Sequence, residues 1–238
     1  MARKIVVVAP TFNEEENIGS FIASVLLQDV HVLISDSHSS DQTPQIVKTL
    51  ASKDKRVHYL DVKKRGLGLG IAKGLDHAVN RLGADILITM EADLSCNPNQ
   101  IPEFVKKAER ADVVIGSRYV KGGGITNWSW WRRAFSFSAN SILRLLAWAP
   151  KLHEFTNLYR AFDKKVWLDL RPKISMHTGW LFVPAFAFEV LDSKAKIVEH
   201  PIIYHDRFGG RSKMRTLSYT KDLLRYALRH RLKKVSLS

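Results

Sequence analysis

Two carboxylates, Glu91 and Asp93, follow a short apolar run at residues 86–90, with only Ala92 between them. On a continuing strand, positions two apart project to the same side, which would bring the two side chains together. Like charges so close repel each other unless a cation or a proton separates them. A divalent ion such as Mg²⁺ or Mn²⁺, itself bridging phosphate oxygens, suits this pair. The alternative is a solvated acidic turn after a strand.

A second cluster with chemical potential lies near the end of the chain, where cations surround a glycine turn. Arg207, Arg211 and Lys213 flank the glycines at 209–210, and Ser212 stands between the last two cations. An arginine fork, a lysine point charge, a hydroxyl and backbone N–H groups together can hold phosphate. The alternative is a solvated basic loop.

Three alternate glycines, Gly66, Gly68 and Gly70, follow the basic residues at 63–65. A dinucleotide fingerprint follows the first strand of its unit with a fixed glycine spacing, and this stretch has neither feature. We therefore predict a basic, flexible turn close to a nucleotide. The first strand also lacks a Walker phosphate loop.

Strand and helix patterns alternate over residues 5–116, and this alternation predicts a parallel, doubly wound sheet. The predicted strands cover 5–9, 30–35, 57–62, 86–90 and 112–115. Ligands of such sheets bind at the carboxyl ends of the strands, which is where the acidic pair lies.

The second half of the chain differs in character. Glycines at 122–124 predict a mobile loop, and tryptophans then abut Arg132 and Arg133. Residues 135–148 carry apolar side chains at helical spacing, namely Phe135, Ala139, Ile142 and Leu146. Tryptophans beside arginines suit a helix at a membrane interface. An amphipathic helix packed on the core is the equal alternative.

The last stretch, 217–232, is also helical in pattern. Four leucines fall near one face, and four cations lie close to them: Leu217, Leu224, Leu228 and Leu232, with Lys221, Arg225, Arg229 and Arg231. Such a helix can lie on an anionic membrane or dock on a helix of a partner.

Composition limits the partners. The chain has 238 residues, enough for one sizeable α/β domain or for a domain with an appendage. Lys and Arg number 37 against 23 Asp and Glu, giving a net charge of +14. This charge implies nucleic acid, an anionic membrane surface or phosphorylated substrates as partners. No helix-turn-helix or zinc-finger pattern accompanies it, so we expect no nucleic-acid partner.

We recognise neither a membrane-spanning stretch nor a secretory signal in the sequence. No stretch is apolar enough to span a bilayer, because the best candidate, 180–191, is interrupted by Pro184 and Glu189. The first apolar run ends at Pro10, too early for a secretory signal. We expect a soluble or peripheral protein on the cytoplasmic side. A single cysteine, Cys96, excludes an intrachain disulfide framework.

Taken in order, these motifs resemble the family-2 glycosyltransferases of the GT-A fold, and within them the dolichyl-phosphate mannose synthases. The matching segments are 10–14, 36–43, 91–95, 116–119, 156–162 and 207–213. The resemblance implies a Rossmann-like, mixed, mainly parallel sheet flanked by helices. It implies a catalytic domain at 1–215, with a nucleotide-sugar half at 1–118, an acceptor half at 119–215 and an interface helix at about 131–148. A basic amphipathic helix at 216–238 completes the expected organisation.

For the donor, the resemblance implies that Pro10, Thr11, Glu14 and Asp36 line the nucleoside pocket. The family usually has two adjacent aspartates in this loop, and here the second is Ser37. The family usually has Thr-Gly-Ser at the start of the 156–162 motif, and here the residues are Thr156, Asn157 and Leu158. GDP-mannose is the expected donor, and UDP-glucose or UDP-N-acetylglucosamine is the alternative.

For the metal, the resemblance implies Asp93 as the principal ligand of Mg²⁺ or Mn²⁺. Glu91 binds the metal or positions the sugar-phosphate end, and it is one methylene longer than the family's aspartate. Ser95 occupies a position where some relatives carry a further ligand.

For the phosphates, Arg118 and Arg132 are expected to face the donor sugar and the acceptor phosphate, and Arg207 and Lys213 to hold the phosphates and close the site. The implied reaction is an inverting transfer to dolichyl or polyprenyl phosphate at an anionic membrane surface, with a separate membrane subunit as the alternative anchor. A family-2 enzyme acting on a sugar hydroxyl is a second possibility, and it needs a general base such as Asp163 or Asp112.

Overall fold

The computed structural model describes residues 3–206 and 216–236. The strands are β1 Ile5–Thr11, β2 His31–Asp36, β3 Val57–Asp61, β4 Ile86–Thr89, β5 Val113–Ser117, β6 Gly124–Ile125, β7 Arg160–Asp163, β8 Ile197–Pro201 and β9 Ile203–Tyr204. The α-helices are α1 Ile18–Leu26, α2 Thr43–Lys53, α3 Leu67–Asn80, α4 Ile101–Ala108, α5 Trp130–Leu146, α6 Lys164–Ile174, α7 Phe182–Asp192 and α8 Thr216–Ser236. A 3₁₀ turn, Pro98–Gln100, precedes α4.

A seven-stranded sheet forms the centre, in the order β3-β2-β1-β4-β7-β5-β8. Every neighbouring pair is parallel except those of β7, which runs antiparallel to β4 and β5. The predicted mixed, mainly parallel sheet is confirmed. The five strands predicted in the first half all form, and β7 from the second half separates β4 from β5.

The sheet is buried on both faces because its strands alternate between two apolar clusters. In β1, Val6 and Val8 contact one cluster, and Val7 and Ala9 contact the other. The first cluster contains buried side chains of α3, α5, α6, α7 and α8, and the second contains those of α1, α2 and α4. Burial on both faces explains why these strands are apolar throughout.

The glycines after β3 do not form the predicted flexible turn. Gly66 has φ +150° and precedes α3, whereas Gly68 and Gly70 lie inside the first turns of that helix. A Cβ on Gly68 would lie 2.1 Å from the carbonyl oxygen of His177. This glycine therefore lets the start of α3 approach the chain before α7 closely.

The predicted loop at 122–124 is also shorter than expected. Gly122 turns the chain with φ +90°, and Gly124 already begins β6. β6 pairs in parallel with β9, so the segment is hydrogen-bonded to the chain near Tyr204.

Helix α5 exposes its large apolar side chains. Trp130 is 81% exposed, Leu145 68% and Phe137 58%, whereas Leu143 is buried. Helix α5 thus packs on the core through Leu143 and leaves other apolar side chains exposed, and its place at a membrane interface stays a prediction. None of the helices in the described ranges has the length and apolar character that a bilayer crossing requires.

Helix α8 packs on the core through Leu223 and Ala227, which are buried, whereas Leu228 is 50% and Leu232 67% exposed. These exposed leucines belong to the predicted stripe, whose contact with an anionic membrane or a partner helix stays a prediction. The division of the chain at 215 stays a prediction, although α8 contributes to the same apolar cluster as α3, α6 and α7.

Candidate functional site

A cavity of about 620 Å³ opens beyond the carboxyl ends of β1, β2 and β4. Its polar end is lined by Pro10, Thr11, Phe12, Glu14, Ser37, Arg65 and Gly66. Its middle is lined by Glu91, Asp93, Arg118, Trp128, Arg132 and Thr156. The rest of the lining comes mainly from α5, α7 and α8 and is largely apolar. One space thus joins a polar pocket, an acidic pair and an apolar groove.

The polar end depends on β1 and β2, which place Thr11 beside Asp36 in register. Asp36 is fully buried and accepts hydrogen bonds from Thr11 Oγ1 at 2.9 Å and from the Ser39 backbone N–H at 2.8 Å. Ser37, not Asp36, lines the cavity. Asp36 lies behind the wall that Thr11 and Ser37 form, and its predicted place in the nucleoside pocket stays a prediction.

The two loops of this end are joined by hydrogen bonds. The Asn13 backbone N–H donates to Ser39 Oγ at 2.8 Å, and Asn13 Oδ1 accepts from the Ser40 N–H at 2.9 Å. The Glu14 N–H donates to Thr43 Oγ1 at 2.9 Å. These contacts between 12–17 and 36–43 preform the pocket that Pro10, Thr11 and Glu14 line.

The acidic pair lies in a turn and not on a strand. β4 ends at Thr89, so the prediction of a strand continuing through Glu91 and Asp93 is wrong. Both carboxylates nevertheless line the cavity. The turn includes Leu94 at φ +60°, a conformation that costs a bulky residue free energy and that strained functional turns often contain.

Ser95 supports the pair from behind. Its backbone N–H donates to Asp93 Oδ1 at 3.1 Å, and the residue is fully buried. Ser95 does not line the cavity, unlike Asp93. The predicted role of Ser95 as a metal ligand stays a prediction, and the structure shows its backbone N–H bonded to the Asp93 carboxylate.

The electrostatics of Glu91 fit a cation. Burial, together with the charge of Asp93, raises the pKa of Glu91 to about 7. Its Oε2 is buried and has no hydrogen-bond partner among the described residues. A buried acceptor beside a second carboxylate is what a hard cation satisfies. The described residues contain no cluster of three His, Cys, Asp or Glu side chains suited to a metal.

Arg118 is buried in an ion pair that the sequence did not reveal. Its Nε and Nη2 donate to the two oxygens of Glu154 at 2.8 and 2.9 Å. Burial lowers the pKa of Arg118, but the Glu154 carboxylate outweighs burial and leaves that pKa raised. Burial raises the pKa of Glu154, and Arg118 reverses this effect, leaving it below its usual range. The arginine stays charged and fixed at the cavity wall, as its expected phosphate contact requires.

Glu154 is the functional residue that sequence reasoning missed. It also accepts hydrogen bonds from the backbone N–H groups of Thr156 at 3.0 Å and Asn157 at 3.1 Å. Its only sequence signal is a carboxylate two residues before the 156–162 motif. Because its partner Arg118 lies 36 positions away, no local pattern could have paired them.

Arg132 reaches the cavity from α5. Its guanidinium lies 3.8 Å from the ring centre of Trp128 and donates to Asp206 Oδ1 at 3.2 Å. Trp128 Nε1 is buried and has no acceptor within the described part of the chain. The other predicted phosphate ligands, Arg207 and Lys213, lie outside the described residues.

The two candidate general bases, Asp163 and Asp112, lie at the end of the sheet opposite to the cavity. Asp163 pairs in register with Ile86 at the start of β4 and caps α6 by accepting from the Lys165 N–H at 2.9 Å. Asp112 precedes β5 and accepts from the Lys196 N–H at 2.7 Å. Neither lines the cavity, which lies at the carboxyl ends of these strands.

The family model described as Glycosyl transferase family 2 matches residues 6–170. The polyprenol monophosphomannose synthase of Mycolicibacterium smegmatis is 33% identical over 217 residues, covering 89% of this chain and 81% of that protein. The undecaprenyl-phosphate mannosyltransferase of Micrococcus luteus is 31% identical, covering 89% of this chain and 87% of that protein. The dolichol-phosphate mannosyltransferase of Pyrococcus furiosus is 28% identical, and the match spans 59% of its length.

Solved structures of glucosyl-3-phosphoglycerate synthase from Mycobacterium tuberculosis have a similar fold. The complex with Mn²⁺, UDP and glucosyl-3-phosphoglycerate superposes with a TM-score of 0.70 at 19% identity, covering 97% of this chain and 80% of that chain. The complex with Mn²⁺, UDP-glucose and glycerol 3-phosphate gives a TM-score of 0.71 at 18% identity, with the same coverage. The expected GT-A fold is confirmed.

Proposed function

The chain belongs to glycosyl transferase family 2, and we propose that it transfers mannose from GDP-mannose to the phosphate of a polyprenol such as dolichol. The observation that carries this proposal is the continuity of the cavity, from a polar pocket past Glu91 and Asp93 to an apolar groove. The relatives from M. smegmatis, M. luteus and P. furiosus, whose names specify polyprenyl, undecaprenyl or dolichyl phosphate and mannose, support both substrates.

Each part of the cavity has a task in this reaction. The pocket at Pro10, Thr11 and Glu14 holds the nucleoside, and Ser37 takes the place of a second aspartate there. Asp93 and Glu91 would hold Mg²⁺ or Mn²⁺, and the Mn²⁺ in the M. tuberculosis complexes supports this assignment. When bound, such an ion neutralises charge on the departing diphosphate.

The acceptor phosphate needs positioning more than activation. A phosphate monoester has a second pKa of about 6, so it is already an anionic nucleophile near neutral pH. Arg118 and Arg132 line the cavity as fixed cations and orient this phosphate for in-line attack on the anomeric carbon, which inverts configuration. No general base is required, and Asp163 and Asp112 lie away from the cavity. The hydroxyl-acceptor alternative is therefore not favoured.

The apolar groove suits the polyprenyl chain. Phe135, Ile142 and Leu143 of α5 line it together with Leu223 and Leu224 of α8. Trp131 of α5 also lines the cavity and is 62% exposed, and Trp130 and Leu145 of the same helix are exposed as well. We infer a peripheral association with the cytoplasmic face of a membrane, in which α5 lies at the interface and its arginines contact anionic headgroups. A membrane-anchoring subunit that covers the same face is the other outcome to test.

A product assay tests the reaction. Purified protein is given polyprenyl phosphate, Mg²⁺ or Mn²⁺, and GDP- and UDP-sugars in turn, and the lipid fraction is analysed by mass. A metal-dependent polyprenyl-phosphate mannose from GDP-mannose alone is expected. A product from a UDP-sugar instead would replace the donor, and transfer only to added sugars would contradict the lipid-phosphate acceptor.

Two substitutions assign the metal site. Asp93→Asn is expected to abolish transfer and to weaken Mn²⁺ binding, measured by electron paramagnetic resonance in the presence of GDP. Asp163→Asn removes the same charge at the other end of the strands and should leave both transfer activity and Mn²⁺ binding unchanged. Unaltered Mn²⁺ binding by Asp93→Asn would remove Asp93 from the site. We also propose that Arg207 and Lys213 close the site, so Lys213→Ala should lower turnover more than donor affinity.

A further inference from the structure

A second cavity, of about 680 Å³, lies beside α8. Its walls are the segment between α6 and α7 and one side of α8: Met176, His177, Thr178, Gly179, Trp180, Leu181, Tyr219, Asp222, Arg225, Tyr226 and Arg229. Trp180 and Tyr219 also line the first cavity, so these two side chains separate the two spaces. None of the described residues assigned to sugar transfer lines it.

Two cations of this cavity are available to a ligand. Arg225 and Arg229 are one helical turn apart on α8, so their side chains project from the same side of the helix. Both are exposed, and neither has a hydrogen bond or ion pair with any described residue. Asp222 is the single acidic lining residue. Burial lowers the pKa of His177, so the net positive charge comes from the arginines.

The rest of the lining is largely apolar and aromatic. Met176 is 72% and Trp180 38% exposed at its edge, and Tyr226 meets the His177 ring edge-on at 5.1 Å. Leu228 and Leu232 are exposed on the adjoining side of the same helix. Two guanidinium forks beside an apolar wall match a ligand that joins a phosphate to an acyl chain.

We propose that this cavity binds the phosphate ester of an anionic glycerophospholipid, at a site separate from the sugar-transfer site. Arg225 and Arg229 hold the phosphate, and the wall around Trp180 and Met176 takes the first part of an acyl chain. The lipid ties α8 to the segment before α7. Since Tyr219 and Trp180 belong to both cavities, an occupied second cavity also braces the groove for the polyprenyl chain.

Calorimetry on the full-length protein tests this site without nucleotide-sugar or polyprenyl phosphate, so the result is independent of the proposed transfer. The probes are dihexanoyl phosphatidylglycerol below its micellar concentration, dihexanoyl phosphatidylcholine and inorganic phosphate. The test variant is Arg225→Gln/Arg229→Gln. The control is Lys221→Gln/Arg231→Gln, which removes the same charge from the same helix at positions that do not line the cavity.

The parent protein and the control are expected to bind phosphatidylglycerol equally and more tightly than phosphatidylcholine. The test variant should bind it at least about tenfold more weakly, as loss of charge-assisted hydrogen bonds predicts. Inorganic phosphate bound as tightly as the lipid, with the same loss in the test variant, would assign the phosphate site to free phosphate. Equal losses in both double variants, or no binding by the parent protein, would overturn the proposal.

Discussion

Substitution of Glu154 by leucine tests the buried ion pair behind the cavity. Glu154 is completely buried, and the Arg118 side chain is 5% exposed. The carboxylate accepts two hydrogen bonds from the Arg118 side chain and others from Thr156 and Asn157. Leucine fills a similar volume but accepts none of them. Glu154→Leu therefore leaves the guanidinium buried with only Thr156 Oγ1 and the surrounding rings.

The expected cost follows from what is left unpaired. Removing one partner of a buried ion pair destabilises a protein by about 3–5 kcal/mol, because an uncompensated charge stays in the interior. In Arg118→Met/Glu154→Leu that charge is gone. The groups that lose their acceptor are then the same neutral donors as in the single variant, namely the N–H groups of Thr156 and Asn157, the Thr156 hydroxyl and the more distant Arg118 N–H. Each unsatisfied group costs about 1–3 kcal/mol. The double variant should therefore be more stable than Glu154→Leu.

Urea unfolding, followed by circular dichroism, measures these free energies of unfolding. Glu103→Gln serves as the control, because its side chain is 64% exposed in its contact with His200 and the expected change is at most about 1 kcal/mol. Transfer activity is not the readout, since Arg118 lines the catalytic cavity. A loss below about 1 kcal/mol for Glu154→Leu, or a double variant less stable than the single one, would refute the reasoning.

Three further predictions use contacts elsewhere in the fold. Gly68→Ala should destabilise the protein markedly in thermal unfolding, because its Cβ would lie 2.1 Å from the His177 carbonyl oxygen. Gly19→Ala is the control, because a Cβ there would have no other atom within 4 Å. This second substitution should stabilise α1 by up to about 1 kcal/mol. Similar effects of both would contradict the packing at Gly68. His31 Nδ1 and His58 Nε2 are 3.0 Å apart, and burial and neighbouring cations lower the pKa of both rings. Just below pH ~6.5 the unfolded chain then binds more protons than the folded protein. The free energy of unfolding should therefore rise with pH through that window and level off above it. If His31→Gln/His58→Gln shows the same pH dependence of this free energy, the two histidines are not its cause. Trp128→Phe removes a buried N–H donor that has no hydrogen-bond partner within the described ranges, so it should not lower the free energy of unfolding. If Nε1 donates to the substrate, the same substitution should reduce kcat/KM about tenfold. Unchanged kinetics would assign Trp128 to packing alone.

Local patterns determined much of the first half. The strands at 5–9, 30–35, 57–62, 86–90 and 112–115 were predicted because buried parallel strands are short, apolar and bounded by polar turns. The position of the acidic pair at a strand end followed from the same pattern. The ordered motifs identified the family and the GT-A fold, since each motif is a short sequence with fixed neighbours.

Where the predictions failed, the deciding contacts join distant parts of the chain. Gly68 is helical because α3 packs on the segment near His177, and no property of residues 66–70 reveals that neighbour.

The sequence by itself determined the family, the strands and the residue types at the site, because periodicity and motif spacing are properties of neighbouring residues. Only the tertiary structure decided that β7 enters the sheet antiparallel between β4 and β5, and that Glu154 holds Arg118. It also decided that α5 turns its tryptophans outward. Strand order, ion pairing and exposure depend on which surfaces come into contact when distant segments bury their apolar area. Patterns of neighbouring residues do not specify these long-range contacts.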